Sequence, residues 1–145
     1  MVGIIVVGHG EFAKGLTSAV ELIAGAQDEY ITLDFTSDIT PDQLKVNIKD
    51  AIDRLDRETG VLVFTDLMGG TPFKESVEIS LQYDNVKVLT GTNIAMLLEA
   101  ALMRAAITDV EEFTKSLKET GSSQVDFFDV ASLDFDQDDS DEDGI

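Results

Sequence analysis

The sequence VGIIVV at residues 2–7, followed directly by Gly8-His9-Gly10, sets the fold. Residues 2–7 are β-branched and apolar except at Gly3, which is typical of a strand buried on both faces of a sheet. Similar apolar runs occur at residues 30–35, 61–65 and 86–89, and amphipathic helical patterns separate them. This alternation predicts an α/β fold, in which a mostly parallel central sheet is covered by helices on both faces.

Several helices have recognisable start signals. Thr40-Pro41-Asp42-Gln43 has the form of a capping box with Pro41 at the first helical position, and Thr108-Asp109-Val110-Glu111 has the same form. Asn93 is a typical N-cap for the helix that follows it. Residues 125–130 predict a late strand, which either closes its own sheet or pairs with another subunit.

The composition narrows the class of protein. The net charge is −19, from 29 acidic and 10 basic residues, so nucleic acid and anionic membranes are poor partners and basic protein surfaces are better ones. The chain has no cysteine and one histidine, so we expect no disulfide, no metal site and no cofactor. It has no apolar run of about 18 residues, so we expect no membrane insertion and a cytoplasmic location.

The acidic charge is concentrated near the C-terminus. Residues 134–145 carry seven acidic side chains and no basic ones. A segment of this composition buries too little apolar surface to offset the entropy of ordering. We therefore predict one domain over residues 1–131 and an acidic, disordered tail over residues 132–145.

Ligands of parallel α/β sheets bind at the carboxyl ends of the strands, and His9 lies at such an end. A lone histidine is more often structural, but one in this crevice can act as a nucleophile if an acceptor holds its other ring nitrogen. Asp66 ends the third strand and reaches His9 if strands one and three are neighbours. The alternative is that Asp66 only caps the following turn.

The loop Gly69-Gly70-Thr71-Pro72 predicts a helix start with Thr71 as N-cap and Pro72 at the first helical position. Such a helix end binds anions through free backbone N–H groups, for which we select Gly10, Gly69 and Gly70, and the Thr71 hydroxyl adds a donor. The alternative is an ordinary glycine-rich turn. A histidine, an aspartate and an anion-binding helix end in one crevice favour phosphoryl transfer.

A competing motif overlaps His9. The sequence GHGEFA at residues 8–13 satisfies the dinucleotide-binding pattern G-x-G-x-x-[GA], and Asp34 ends the second strand about 20 residues later. This alternative predicts a nucleotide-dependent oxidoreductase or its remnant. It leaves the loop at residues 66–72 unexplained and provides no second domain for a substrate.

Three segments together resemble the IIA component of the mannose-family sugar phosphotransferase system (PTS). They are VVGHG at residues 6–10, DLMGGTPF at residues 66–73 and GTNIAMLLE at residues 91–99, and the resemblance extends over about residues 1–130. Lys74 and Ala95 depart from it, because the family often has asparagine and proline there. The motifs are shared by systems for mannose, fructose, sorbose, gluconate and amino sugars, so they predict the family rather than the sugar.

The resemblance implies a phosphocarrier. His9 would accept phosphate from the phosphorylated histidine-containing carrier protein HPr and pass it to a IIB component on a separate chain, which serves the membrane permease IIC/IID. Asp66 would orient His9, and Thr71 would contact the phosphate. The family forms homodimers that exchange a C-terminal strand, and the protein would associate peripherally with the permease. A regulatory module of the same fold, phosphorylated without onward transfer, is the third alternative.

Overall fold

A computed structural model of the protein describes residues 1–133, which form one sheet surrounded by helices. The strands are β1 (Gly3–His9), β2 (Tyr30–Phe35), β3 (Val61–Thr65) and β4 (Val86–Leu89). The α-helices are α1 (Phe12–Ala24), α2 (Pro41–Arg54), α3 (Thr71–Ser80), α4 (Ile94–Met103) and α5 (Val110–Ser122). Short 3₁₀ turns cover Arg104–Ala106 and Val130–Ser132.

The sheet is fully parallel, with strand order β2-β1-β3-β4. Side chains of β1 alternate between two cores: Ile4 and Val6 pack with α1, α4 and α5, whereas Ile5 and Val7 pack with α2 and α3. The predicted α/β fold is therefore confirmed. β2 lies on one side of β1, whereas β3 and β4 lie on the other side. The chain therefore changes direction across the sheet between β1 and β3, and a crevice opens at the carboxyl ends of these two strands.

Two of the predicted caps are confirmed. The Thr40 side chain accepts from the Gln43 N–H and the Gln43 side chain accepts from the Thr40 N–H, and Asn93 accepts from the Met96 N–H. The box at residues 108–111 is wrong in detail. Asp109 is the N-cap of α5, and its carboxylate accepts from the N–H groups of Glu111 at 3.0 Å and Glu112 at 3.2 Å.

The late strand predicted at residues 125–130 does not form within a single subunit. This segment leaves α5 as irregular backbone and ends in the Val130–Ser132 turn. Val125, Phe127, Phe128 and Val130 are all exposed. A strand needs a neighbouring edge to satisfy its backbone groups, and the segment pairs with no strand in the described chain. Exchange between subunits stays a prediction, and residues 134–145 of the predicted tail lie outside the described residues.

Arg104 is an unexpected part of the core, because it is only 2% exposed. Its guanidinium donates to the carbonyl groups of Val2, Asp28 and Glu29 and to the side-chain oxygen of Gln27. Burial lowers the pKa of Arg104, although an arginine remains charged at neutral pH. Arg104 therefore joins the end of α4 to the amino-terminal edge of the sheet. Within residues 1–133, no helix has both the length and the hydropathy needed to cross a membrane.

Candidate functional site

His9 is the last residue of β1, and its side chain is 47% exposed at the crevice. Asp66 directly follows β3, and one of its carboxylate oxygens, Oδ2, makes two contacts with His9. It lies 2.7 Å from the ring Nδ1 and accepts from the His9 backbone N–H at 2.8 Å. The expected proximity of the two side chains is observed, because β1 and β3 are neighbours.

The electrostatics of Asp66 favour one tautomer of His9. Burial raises the pKa of the Asp66 carboxyl, but hydrogen bonds from the His9 N–H, the His9 ring and the Leu67 N–H lower it by more. The result is a pKa below the usual value, so the carboxylate is charged at neutral pH and Nδ1 carries the ring proton. The other nitrogen, Nε2, makes no hydrogen bond within residues 1–133, and it is the nitrogen that carries the lone pair in the neutral form of this tautomer.

The lowered pKa of Asp66 predicts how its contribution to stability changes with pH. Because the folded-state pKa lies below the unfolded value, the contribution is present above the unfolded value and is lost as the pH falls through the folded-state pKa. The free energy of unfolding of the wild type should exceed that of Asp66→Asn at pH 7, and the difference should shrink between about pH 5 and about pH 2. Urea unfolding at stepped pH measures this difference, and a constant difference would contradict the assignment.

The start of α3 lies one residue earlier than predicted. Gly70 is the N-cap, Thr71 is the first helical residue and Pro72 is the second. The N–H groups of Thr71 and Phe73 are therefore in the first turn and have no intrahelical acceptor, while Pro72 has no N–H. The Thr71 hydroxyl makes no hydrogen bond within the described residues. This helix end offers donors and a partial positive charge to an anion.

The N–H groups of Gly10 and Gly70, the predicted phosphate-binding donors, already donate to carbonyl groups of the chain. The Gly10 N–H donates to the Phe35 carbonyl at 2.8 Å, and the Gly70 N–H donates to the Leu67 carbonyl at 3.0 Å. Among the three selected glycines, only the Gly69 N–H has no backbone acceptor in the described chain. Gly10 has a positive φ of 56°, which glycine adopts most readily, and a Cβ at Gly70 would lie 3.0 Å from His9 Cε1 and crowd the ring.

The loop after β4 is tied to the loop that carries Asp66. The Gly91 N–H donates to the Asp66 carbonyl at 3.2 Å, and the Thr92 hydroxyl donates to the Thr65 carbonyl at 2.7 Å. The Thr65 hydroxyl in turn donates to the Leu89 carbonyl at 2.7 Å. Sequence reasoning placed both loops at the same edge but did not identify these bonds, which hold the backbone of Asp66.

The structure also places Asp34, the carboxylate of the dinucleotide alternative, and Lys74, which departs from the family pattern. Asp34 of β2 lies opposite Gly8, and its carboxylate is 3.6 Å from the Lys14 ammonium of α1. The carboxylate proposed for a dinucleotide ribose is therefore engaged by a lysine. Lys74 is exposed in the first turn of α3. Among residues 1–133, no three histidine, aspartate or glutamate side chains come together as metal ligands.

Comparison with known proteins assigns the family. A family model described as "PTS system fructose IIA component", of the mannose-type EIIA class, matches residues 3–118. The chain belongs to the mannose-family EIIA components. This EIIA component is 34% identical over 137 aligned residues to the sorbose-specific EIIA component of Lacticaseibacillus casei, with 86% of the chain and 99% of that relative covered.

Other relatives agree with this assignment. The mannose-specific EIIAB component of Escherichia coli K12 is 28% identical, and the match covers 86% of the chain but only 38% of that longer protein. The crystal structure of phosphotransferase system component EIIA from Streptococcus agalactiae superimposes with a TM-score of 0.82 at 32% identity. It covers 92% of this chain and 100% of that one. The chain is thus a component of a sugar phosphotransferase system.

Proposed function

We propose that this EIIA component is a phosphocarrier, in which His9 accepts a phosphoryl group from phosphorylated HPr and passes it to a IIB component. The observation that carries the proposal is the pair of contacts from Asp66, which occupy Nδ1 and leave Nε2 free. A neutral imidazole with one nitrogen held and the other open is a nucleophile. The transfer would couple sugar uptake by a IIC/IID permease to sugar phosphorylation.

The proposed transfer step forms one N–P bond and breaks another. The Nε2 lone pair attacks the phosphorus of phosphohistidine on HPr, the N–P bond to HPr breaks, and its electron pair returns to the HPr ring. The Nδ1 proton stays in place, and the Asp66 carboxylate stabilises the positive charge that develops on the His9 ring. A second transfer discharges His9: a nucleophile of IIB attacks the same phosphorus, the bond from phosphorus to His9 Nε2 breaks, and its electron pair returns to the His9 ring.

The start of α3 is the proposed site for the phosphoryl oxygens. A Cβ at Gly70 would lie 3.0 Å from His9 Cε1, so the backbone of the N-cap approaches the ring atom next to Nε2. The N–H groups of Thr71 and Phe73, the Gly69 N–H and the Thr71 hydroxyl are the available donors. Placement of fixed donors around a transferring phosphoryl group is the main contribution of proteins to this reaction.

Phosphate incorporation tests the proposal. The protein is incubated with phosphoenolpyruvate and the general phosphotransferase proteins, including HPr, and intact mass is measured. We expect one acid-labile phosphate per wild-type chain and none on His9→Gln. Subsequent addition of a mannose-type IIB component should remove the phosphate. Phosphorylation without discharge would favour the regulatory alternative, and NAD binding in calorimetry that is weakened by Asp34→Ala would favour the dinucleotide alternative.

We propose further that the protein is a homodimer in which residues 125–130 pair with a second subunit. The free edge of β4 lies beside an apolar groove of about 470 Å³, and Val88, Leu89, Met96 and Val125 contribute to its lining. The apolar side chains of residues 125–130 are exposed, and docking against an apolar groove would remove them from water. A docked strand would also satisfy the unpaired backbone groups of the β4 edge.

Truncation after Gln124 is expected to convert the dimer to a monomer, because it removes the exposed apolar segment. Light scattering measures the mass. The matched control is truncation after Leu133, which removes the acidic residues 134–145 and should leave the dimer mass, corrected for length, intact. A dimer that survives truncation after Gln124 would contradict strand exchange.

A further inference from the structure

We propose that Phe35 is a positioning residue for His9, whose ring keeps the imidazole in the orientation that presents Nε2 to the start of α3. The inference rests on the proposed phosphocarrier function and adds a residue to it. Phe35 is the last residue of β2 and is partly buried against the core formed with α2 and α3. It contributes no polar side-chain atom to the site.

The backbone of Phe35 is coupled directly to that of His9. The two residues are register partners in the parallel pairing of β1 with β2. The Gly10 N–H, immediately after His9, donates to the Phe35 carbonyl at 2.8 Å. Because β2 is held to β1 at this point, the Phe35 ring has a fixed position relative to the His9 backbone.

The two rings are also in contact. Their centroids are 5.7 Å apart and their planes are inclined at 68°, which is an edge-to-face arrangement. Edge-to-face is one of the two arrangements that aromatic pairs favour, the other being offset stacking. An edge-to-face contact disfavours rotation of either ring, so Phe35 limits the side-chain torsions that His9 can adopt.

The hydrogen bond to Asp66 does not by itself fix the orientation of the His9 ring. Its hydrogen bond fixes the position of Nδ1, but coupled changes of the two His9 torsions can keep that bond while Nε2 moves. The imidazole is 47% exposed, so protein atoms do not restrict this movement on its solvent side. Gly70 bounds the ring near Cε1, and Phe35 supplies the aromatic contact.

The test compares Phe35→Leu, which keeps most of the apolar volume, with Phe35→Tyr, which keeps the aromatic ring. We expect Phe35→Leu to lower kcat for phosphorylation by phospho-HPr about three- to tenfold with little change in KM, and Phe35→Tyr to restore it. Phe113→Leu, which changes a buried phenylalanine of α5 in the other core, is the matched control and should be phosphorylated at the wild-type rate.

Nitrogen-15 chemical shifts of His9 in the unphosphorylated variants provide a readout that a merely structural role would not move. The wild type and Phe35→Leu should both show the Nδ1–H tautomer that Asp66 sets, whereas the Nε2 shift of Phe35→Leu should differ from that of the wild type and return to it in Phe35→Tyr, because Nε2 moves when the ring is no longer held. Equal kcat and equal shifts in the wild type and Phe35→Leu would overturn the assignment of Phe35 while leaving phosphotransfer intact. A wild-type protein that accepts no phosphate would instead overturn the proposed function, and this inference with it.

Discussion

Asp66→Asn is expected to lower the rate of His9 phosphorylation about 100- to 10,000-fold, by analogy with other histidines oriented by an aspartate. The carboxylate oxygen accepts from both the backbone N–H and Nδ1 of His9. An amide has no charge to stabilise the ring as it becomes positive, and its NH₂ group can turn toward the ring and favour the wrong tautomer. Quenched-flow phosphorylation by phospho-HPr measures the rate.

Asp53→Asn is the matched control for this variant. Asp53 is also an ion-paired and hydrogen-bonded aspartate, but its partners are Lys49, Tyr83 and Arg57 near the end of α2. The control should phosphorylate at the wild-type rate. A folded Asp66→Asn protein within about twofold of the wild-type rate would show that Asp66 is only a turn cap.

Arg104→Met is expected to have the largest effect on stability. It replaces the buried guanidinium with an apolar side chain, so the carbonyls of Val2 and Asp28 and the Gln27 side chain lose this donor, while the Glu29 carbonyl keeps its bond from the Ile4 N–H. The bond to the Val2 carbonyl is buried, and an unsatisfied buried acceptor costs about 1–3 kcal/mol, so the free energy of unfolding should fall by about that amount. Urea unfolding measures it.

Arg57→Met serves as the comparison, because Arg57 is a 41% exposed arginine whose partner Asp53 lies 3.5 Å away. An exposed ion pair of this kind should contribute no more than about 1 kcal/mol. If Arg104→Met and Arg57→Met lowered stability equally, the hydrogen bonds of Arg104 would not join the end of α4 to the sheet as described.

The parts of the fold that could be predicted from sequence are those encoded locally. The run at residues 2–7 is apolar at every position except Gly3 because β1 has a core on each face, and Thr40 and Gln43 cap each other within one turn. The contact between His9 and Asp66 required one further assumption, that β1 and β3 are neighbours, and the strand order provides it.

The features that sequence reasoning missed depend on three-dimensional register. Whether Gly10 and Gly70 offer free N–H groups is decided by the carbonyls of Phe35 and Leu67, which no spacing rule identifies. The contact of Phe35 with His9 follows from the pairing of β1 with β2. Residues 125–130 have the composition of a strand, but a strand also requires an edge, and composition does not say which subunit supplies it.

The N-cap of α5 is Asp109 rather than Thr108, which the sequence pattern favours. Both side chains can cap a helix, and the sequence Thr108-Asp109-Val110-Glu111 matches a capping box in which Thr108 would be the cap. The backbone enters α5 one residue later, so the Asp109 carboxylate faces the free N–H groups. An aspartate is also favoured by the partial positive charge of the helix end.

The central claim is that Nε2 of His9 carries the phosphoryl group while Asp66 holds Nδ1. Long-range proton–nitrogen NMR spectra of the protein labelled with nitrogen-15 in its single histidine, recorded before and after phosphorylation by phospho-HPr, distinguish the two ring nitrogens. The account predicts phosphorus coupling at Nε2 and a retained Nδ1–H. Phosphorus coupling at Nδ1, or a phosphorylated protein whose His9 signals are unchanged, would contradict it.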